Sequence, residues 1–512
     1  MTEYRSILFL DAQEGEVAEA AQQPDFFTDL NLDQVVEAVT AGYDRYELKP
    51  LLFHPLRTVD AIAYRQEVFR DLEDEGFFAR VTAFSDAMSN VRTELSQSSA
   101  MRNARQGQRT FVEAATTYVK AVSTFAVDLM EAQISSRGLL SVRDLVTDYA
   151  SSTEFVALRE DVRTMREDLD RVRYRMEVNG YRVTVSRPEG ETDYSADVRA
   201  CFERFRQDDV NEHRLTDVSN KQLSHLEIQI LEFVVRLFPE TFASLASFCD
   251  THRDFLDDAL VSLDREFHFY SSYLGYLASI RAAGLAFTYP TMNAESKRIE
   301  VKQAFDLALA DKLVLNGVPV VSNDVSLKRD ERILVVTGPN QGGKTTFARM
   351  FGQLHYLGSL GLPVPGKSAR LFLFDEIYTL FEKEEDISTL VGKLEEELVR
   401  VRAILDRATP KSIIILNEMF TSTTLDDAIV LGTHVLQRII ALDALCVSVT
   451  FIDEFASLSN STVSMMSTVD QKDATRRTFK IIRKPADGFA YSTAIAHKHR
   501  LGYASLKERL GS

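Results

Sequence analysis

Along this chain of 512 residues the spacing of apolar positions changes period several times. The first 40 residues predict an arm, with one short strand at Ser6–Leu10 followed by an acidic, alanine-rich helix. From Tyr43 to about Asp170 apolar side chains recur every three or four positions, the period of helices with one buried face. A break at Phe53–Leu56, around Pro55, precedes a helix expected over Val59–Leu72. The period then falls to two. Arg171–Val178 alternates, Asn179–Gly180 is a two-residue hairpin turn, and Tyr181–Val185 alternates back. Val172, Tyr174, Met176 and Val178 fall on one face of this ribbon, and Arg171, Arg173, Arg175 and Arg182 on the other. Helical spacing returns from about Asp197 to Arg281, with Leu223, Leu226, Ile230, Val234 and Leu237 expected as one buried stripe. After about residue 295, β-branched runs at Ile333–Val336, Ile413–Leu416 and Val447–Val449 alternate with helical segments, as in a parallel sheet with crossover helices. The expected fold class is multidomain: a mainly α-helical part followed by an α/β part. The divisions are an arm (1–40), a helical domain (41–294) carrying the hairpin (about 171–187), and an α/β domain (295–512).

Composition narrows the functional classes. Apolar residues make up 45% and charged residues 26%, as in globular proteins with a substantial core. No run approaches the roughly 18 uncharged apolar residues of a membrane span, so no membrane partner is expected. The N-terminus is too short in apolar residues and too acidic for a signal peptide. Three widely spaced cysteines (Cys201, Cys249, Cys446) offer no disulfide framework or zinc cluster, which points to the reducing cytoplasm. With 59 basic and 76 acidic residues the net charge is −17, so any nucleic-acid contact must come from a local patch.

The strand at Ile333–Val336 runs into Gly338, Pro339, Asn340, Gln341, Gly342, Gly343, Lys344 and Thr345, a full match to GxxxxGKS/T, with Thr346 following. Glycines there let backbone N–H groups curl around phosphate oxygens at a helix N-terminus. Lys344 is placed to reach the β- and γ-phosphates of ATP, and the Thr345 hydroxyl to bind Mg²⁺. A second strand ends in Asn417-Glu418. Glu418 is the candidate base for the attacking water, while the Asn417 amide adds no negative charge beside the metal. Five arginines (Arg171, Arg173, Arg175, Arg182, Arg187) stand on the hairpin against Glu177, an arrangement suited to DNA phosphates and equally to a solvated sheet edge. With neither lysines nor stacking aromatics along the ribbon, single-strand binding is not expected.

Thr337–Thr346 resembles the phosphate loop of the MutS mismatch-repair ATPases, written TGPNMGGKST. The similarity extends through Gly361, Val364-Pro365, Asp375–Thr379, Glu385-Asp386, Ala408-Thr409, Thr423-Thr424 with Asp427, and Phe489–Tyr491. Upstream it includes Leu51–Leu56, Ile62–Gln66, Val261–Asp264 and Val321–Asp324. The resemblance implies an ABC-type ATPase domain behind a helical core and lever, and an ATP-switched homodimer that clamps mismatched, branched or damaged DNA. The family's Ser-Thr pair, which reaches the partner's nucleotide, aligns with Gly392 and Lys393. Lys393 then stands either as a charge acting across the dimer or as a solvated lysine. The family's LDE reads Leu416-Asn417-Glu418, its switch histidine is Phe451, and the aromatic expected against adenine is Val320. These departures imply slow hydrolysis with nucleotide binding retained. A mismatch-reading N-terminal domain has no counterpart in residues 1–40, and Thr110–Glu113, which fits the wedge pattern Phe-x-Glu, is expected to be helix core. Two rivals stay open: an ATP-switched remodelling or scaffold protein gripping a protein partner, and a nucleotide-binding structural protein without turnover.

Overall fold

The computed structural model describes residues 4–180, 182–188, 225–382, 392–470 and 477–485. Phe489–Tyr491, Glu385-Asp386, Leu223, Cys201 and the helix expected from Asp197 to residue 224 lie outside them. In chain order the first helices are α1 (Ala12–Glu19), α2 (Phe26–Leu30), α3 (Leu32–Thr40), α4 (Lys49–Phe53) and α5 (Val59–Leu72). The long helices α6 (Glu75–Ala100), α7 (Ala104–Glu131), α8 (Arg137–Ala150) and α9 (Thr153–Asp170) follow, then the hairpin β1 (Arg175–Asn179) and β2 (Arg182–Ser186). Next come α10 (His225–Leu237), α11 (Pro239–Thr251) and α12 (Asp258–Ala282). Side chains set several starts: Thr58 caps α5 through Ala61 N, Asn103 caps α7 through Arg105 N and Gln106 N, and Ser152 caps α9 through Phe155 N. Among the described residues no helix is long and apolar enough to cross a membrane.

The chain divides into two compact units. One comprises residues 1–4, 76–132 and 143–264; the other 5–75, 133–142 and 265–512. In the first, α7 supplies Val112, Tyr118, Val122 and Phe125, and α9 supplies Phe155, Leu158, Val162 and Met165, all buried. Phe84 stacks on Phe125 with centroids 4.3 Å apart, and Phe111 of the wedge-like tetrapeptide packs edge-on against Phe255 inside α7's packed face. Strand pairing in the hairpin starts at Arg175, four residues later than the alternation predicts. Helix α9 runs to Asp170, and Arg171 closes it with its N–H on the Glu167 carbonyl. Met176 pairs with Val185 and shares a face with Val183; Arg175, Glu177, Asn179 and Arg182 share the other. The stripe expected on α10 is only partly buried: Val234 is covered, whereas Leu226 is 54% exposed. Ile230, Leu231 and Val234 line a groove with Tyr174, Met176 and Phe242, so this helix offers its apolar face to an opening and not to a filled core.

The second unit is built on a six-stranded sheet. Its strands are β7 (Ile333–Thr337), β10 (Ile377–Leu380), β11 (Ile413–Asn417), β12 (Leu445–Val449), β13 (Thr462–Val469) and β14 (Arg477–Arg483), in spatial order 10-11-12-7-13-14. The first five are parallel and β14 is antiparallel to β13. β7, β11 and β12 read as continuous apolar runs because both faces are covered. A smaller sheet orders β4 (Thr291–Asn293), β9 (Ser368–Phe372), β5 (Ile299–Ala304) and β6 (Asn323–Leu327), and α13 (Leu307–Leu315) precedes β6. Helix α14 (Lys344–Ser359) follows β7, α15 (Lys393–Arg407) precedes β11, and α16 (Leu425–Leu442) connects β11 to β12.

From Arg5 on, the residues expected as an arm belong to this second unit. Ser6–Leu10 forms no strand; Ile7 N donates to Glu266 Oε2 at 2.7 Å and the segment is fixed by side chains. Arg65, fully buried, donates to the carbonyls of Leu8 and Leu360. Phe27 meets Tyr356 of α14 edge-on at 5.0 Å, and a Cβ on Gly352 would lie 2.6 Å from Leu30 and 2.9 Å from Ile415. Helix α14 is therefore wedged between α2 and the central sheet.

Candidate functional site

β7 ends at Thr337 and the chain turns through Gly338 at φ +117° and Gly343 at φ +89°, conformations an L side chain rarely adopts. Gly343 caps α14, whose first N–H groups face the loop's concavity. Two glycines are required by space as well. A Cβ on Gly342 would sit 2.3 Å from Ser467 Oγ and 2.8 Å from the Pro339 carbonyl, and one on Gly338 would crowd the Ser467 backbone at 3.0 Å. Ser467, fully buried on β13, donates to the Gly342 carbonyl at 2.7 Å and ties the loop to the sheet. Only the sheet order reveals this residue, because β13 lies beside β7 although 130 positions separate Ser467 from Thr337.

Lys344 is buried, 4% exposed, and its Nζ donates to the Gly338 carbonyl at 3.0 Å and to Asn340 Oδ1 at 3.2 Å. Glu418 Oε1 lies 3.7 Å away. Burial holds the ammonium below the usual lysine range, Glu418 opposes that, and nearby Arg477 adds to it. Thr345 Oγ1 donates to Asn417 Oδ1 at 2.9 Å, so the amide orients the hydroxyl without adding charge. Glu418 takes φ +56° and Phe420 φ +59°, left-handed for two non-glycine residues within three.

Lys344, Thr345 and Glu418 line a cavity of about 520 Å³. Asn340–Thr346 and Glu418 line it together with Asp306 and Asn323 and the apolar Leu309, Leu313, Val318, Val320 and Phe479. Phe479 was not anticipated. Between Ser467 and Val469 of β13 the register of β14 slips, so that Thr478–Lys480 bulge opposite Thr468. The bulge places Phe479 at φ +57° with its ring 3.8 Å from where a Gly343 Cβ would stand. Asn323 fastens it from β6, donating through Nδ2 to the Phe479 carbonyl at 3.2 Å and accepting from Ile481 N at 2.8 Å. The volume, the polar loop and the apolar side chains in the same lining suit a nucleoside polyphosphate.

Gly392 caps α15 in extended conformation with nothing within 4 Å of a Cβ position. Lys393 pairs with Glu382 of its own chain. Phe451 is half exposed just beyond β12. Of the hairpin arginines, Arg171 pairs with Asp168 (2.9 Å) and Glu167 (3.5 Å), and Arg175 with Glu177. Arg187 donates to the Leu237 carbonyl and covers the Phe238 ring, and Arg173 and Arg182 are exposed.

Comparison with a family model matches a segment inside this second unit, and the matches of two relatives extend further. Residues 334–499 match the family model described as MutS domain V. The DNA mismatch repair protein MSH3 of Eremothecium gossypii is 26% identical over 330 residues, 62% of this chain and 30% of that protein. The endonuclease MutS2 of Gemmatimonas aurantiaca is 26% identical over 261 residues, 50% of this chain and 30% of its own length. The DNA mismatch repair protein MutS of Halalkalibacterium halodurans is 30% identical over 131 residues, 26% of this chain and 15% of the relative. Over residues 334–499 the chain is similar to the MutS family. It spans less than a third of the length of each of these relatives. The glycine-rich loop Gly338–Thr346 falls inside the matched segment, and so do Asn417, Glu418, Ser467 and Phe479.

Proposed function

We propose that this chain is an ATP-binding, slowly hydrolysing MutS-like protein whose ATP state controls a grip on mismatched, branched or damaged duplex DNA. Residues 295–512 act as an ABC-type P-loop ATPase domain behind a helical core and lever (41–294). The observation that carries this reading is the loop itself: a lysine desolvated inside a left-handed glycine turn, one hydrogen bond from Asn340 and close to Glu418. Burying an ammonium is costly unless it meets anionic or strongly accepting groups, so Lys344 is poised to exchange Glu418 for phosphate oxygens. Backbone N–H groups of Gly338–Thr346 would hold the phosphates, Thr345 would hold Mg²⁺, and Leu309, Val320 and Phe479 would flank the base. Bound Mg²⁺ would supply charge neutralisation at the phosphates. Glu418 orients a water, and Asn417 leaves that site one negative charge short of the family's aspartate.

In the same reading two copies pair, with Gly392 and Lys393 of each facing the other's nucleotide, which requires Lys393 to leave Glu382. The hairpin touches the DNA backbone through Arg171, Arg173, Arg175, Arg182 and Arg187, which exchange intramolecular contacts for phosphate. The experiment is charge reversal of Arg173, Arg175 and Arg182 to Glu, followed by DNA affinity across a salt series. Each lost phosphate contact lowers the slope of log K against log salt by about 0.9. An unchanged slope would remove DNA from the account and leave a protein partner as the gripped ligand.

A further inference from the structure

Glu397 belongs to α15, one helical turn after Lys393, and is buried to 8% exposure. A buried carboxylate needs hydrogen bonds or opposite charge to be tolerated. Lys393 and Arg400 supply charge, and burial still raises its pKa above the usual glutamate range. Among the described residues its hydrogen bond leaves the helix: Glu397 Oε2 accepts from the backbone N–H of Phe420 at 3.1 Å.

That N–H closes the three-residue stretch Glu418–Phe420, in which both end residues are left-handed. Strained backbone of this kind persists only where its surroundings over-determine it. Here Glu418 N donates to the Val449 carbonyl at 2.8 Å, fixing the near end to β12. Met419 and Phe420 bury their side chains in the core that contains Val401, Ile404, Leu416 and Leu436. Glu397 secures the far end. Glu418, by contrast, leaves its carboxylate about a third exposed at the cavity. We infer that Glu397 is a positioning residue: its carboxylate holds the Phe420 amide and thereby aims the Glu418 side chain at the phosphate site. Glu397 does not line the cavity. The contact also couples the start of α15, where Gly392 and Lys393 stand, to the candidate base through one turn of helix. This rests on the nucleotide reading above and names a residue that reading does not contain.

The test compares Glu397→Ala and Glu397→Gln with the intact chain. Three quantities are measured: affinity for a fluorescent ATP analogue, single-turnover phosphate release at saturating ATP·Mg²⁺, and hydrogen exchange of the Phe420 amide. The Ala variant is expected to release phosphate roughly 10- to 100-fold more slowly, the scale of losing alignment at a reacting centre. Its affinity should stay within about twofold, as for an interaction felt only beyond binding, and its Phe420 amide should exchange faster. The Gln variant retains an acceptor oxygen and should stay within about threefold on turnover, with the amide still protected. Wild-type turnover in a Glu397→Ala protein that binds the analogue normally would overturn the inference. So would a Gln variant as slow as the Ala one. Failure of the intact chain to bind the analogue refutes the nucleotide reading instead, and unchanged exchange at Phe420 in Glu397→Ala refutes the contact by itself.

Discussion

Asn417 and Thr345 share one hydrogen bond of 2.9 Å, and the charge on the acceptor decides what that bond does for a metal. An amide oxygen orients the hydroxyl but contributes no negative charge, so Asn417→Asp should raise Mg²⁺ affinity and increase turnover by about tenfold, one unit of 1.4 kcal/mol. A steady-state phosphate assay at fixed Mg²⁺ checks this; equal rates in both proteins would sink the explanation for slow hydrolysis. Gly342 is constrained differently. Its substitution by Ala drives a Cβ to 2.3 Å from Ser467 Oγ, a serine locked by its own bond to the Gly342 carbonyl. The loop must then open, and nucleotide affinity should fall by at least tenfold in a titration with the fluorescent analogue. His355, fully buried on α14, has its pKa pushed down to about 4 by burial. The folded state holds this imidazole neutral while the unfolded chain takes up a proton below about pH 6.5. Stability is therefore complete above that pH and declines as pH falls from 6.5 towards 4, by on the order of 3 kcal/mol from this group. Thermal melts across that window should show a shallower decline in His355→Gln.

At the level of elements, the long helices and the central strands were legible because their periods are clean. Val59–Leu72 appears with the limits its apolar spacing gives, and Ile333–Thr337, Ile413–Asn417 and Leu445–Val449 lie where continuous β-branched runs mark two-sided burial. The glycine-rich loop between β7 and α14 was legible because strand, glycines and helix are consecutive. Ser467 and Phe479 were not, since their place depends on which strands become neighbours, and sheet order is a long-range property. The strand expected at Ser6–Leu10 failed for a related reason: its N–H groups are taken by Glu266 and Ser6 side chains, leaving no ladder to join. The hairpin's first strand was placed four residues early, because alternation continues into the C-terminal cap of α9. The bulge on β14 has its own test. Asn323 makes two bonds to it, so Asn323→Ala should cost about 1–3 kcal/mol and weaken nucleotide binding by freeing Phe479. Denaturant melts and the same titration would separate the two effects.

For the whole molecule, a net charge of −17 opposes DNA at long range, so the proposed DNA binding would have to rest on local arginines and on a state of the protein that presents them. That makes dependence on ATP central. The decisive measurement is fluorescence anisotropy of labelled homoduplex, mismatched duplex and four-way junction at low salt, with and without ATP·Mg²⁺. ATP-dependent tightening on at least one of these, lost in Lys344→Ala, is the predicted result. Equal or absent binding to all three in both nucleotide states would contradict the account.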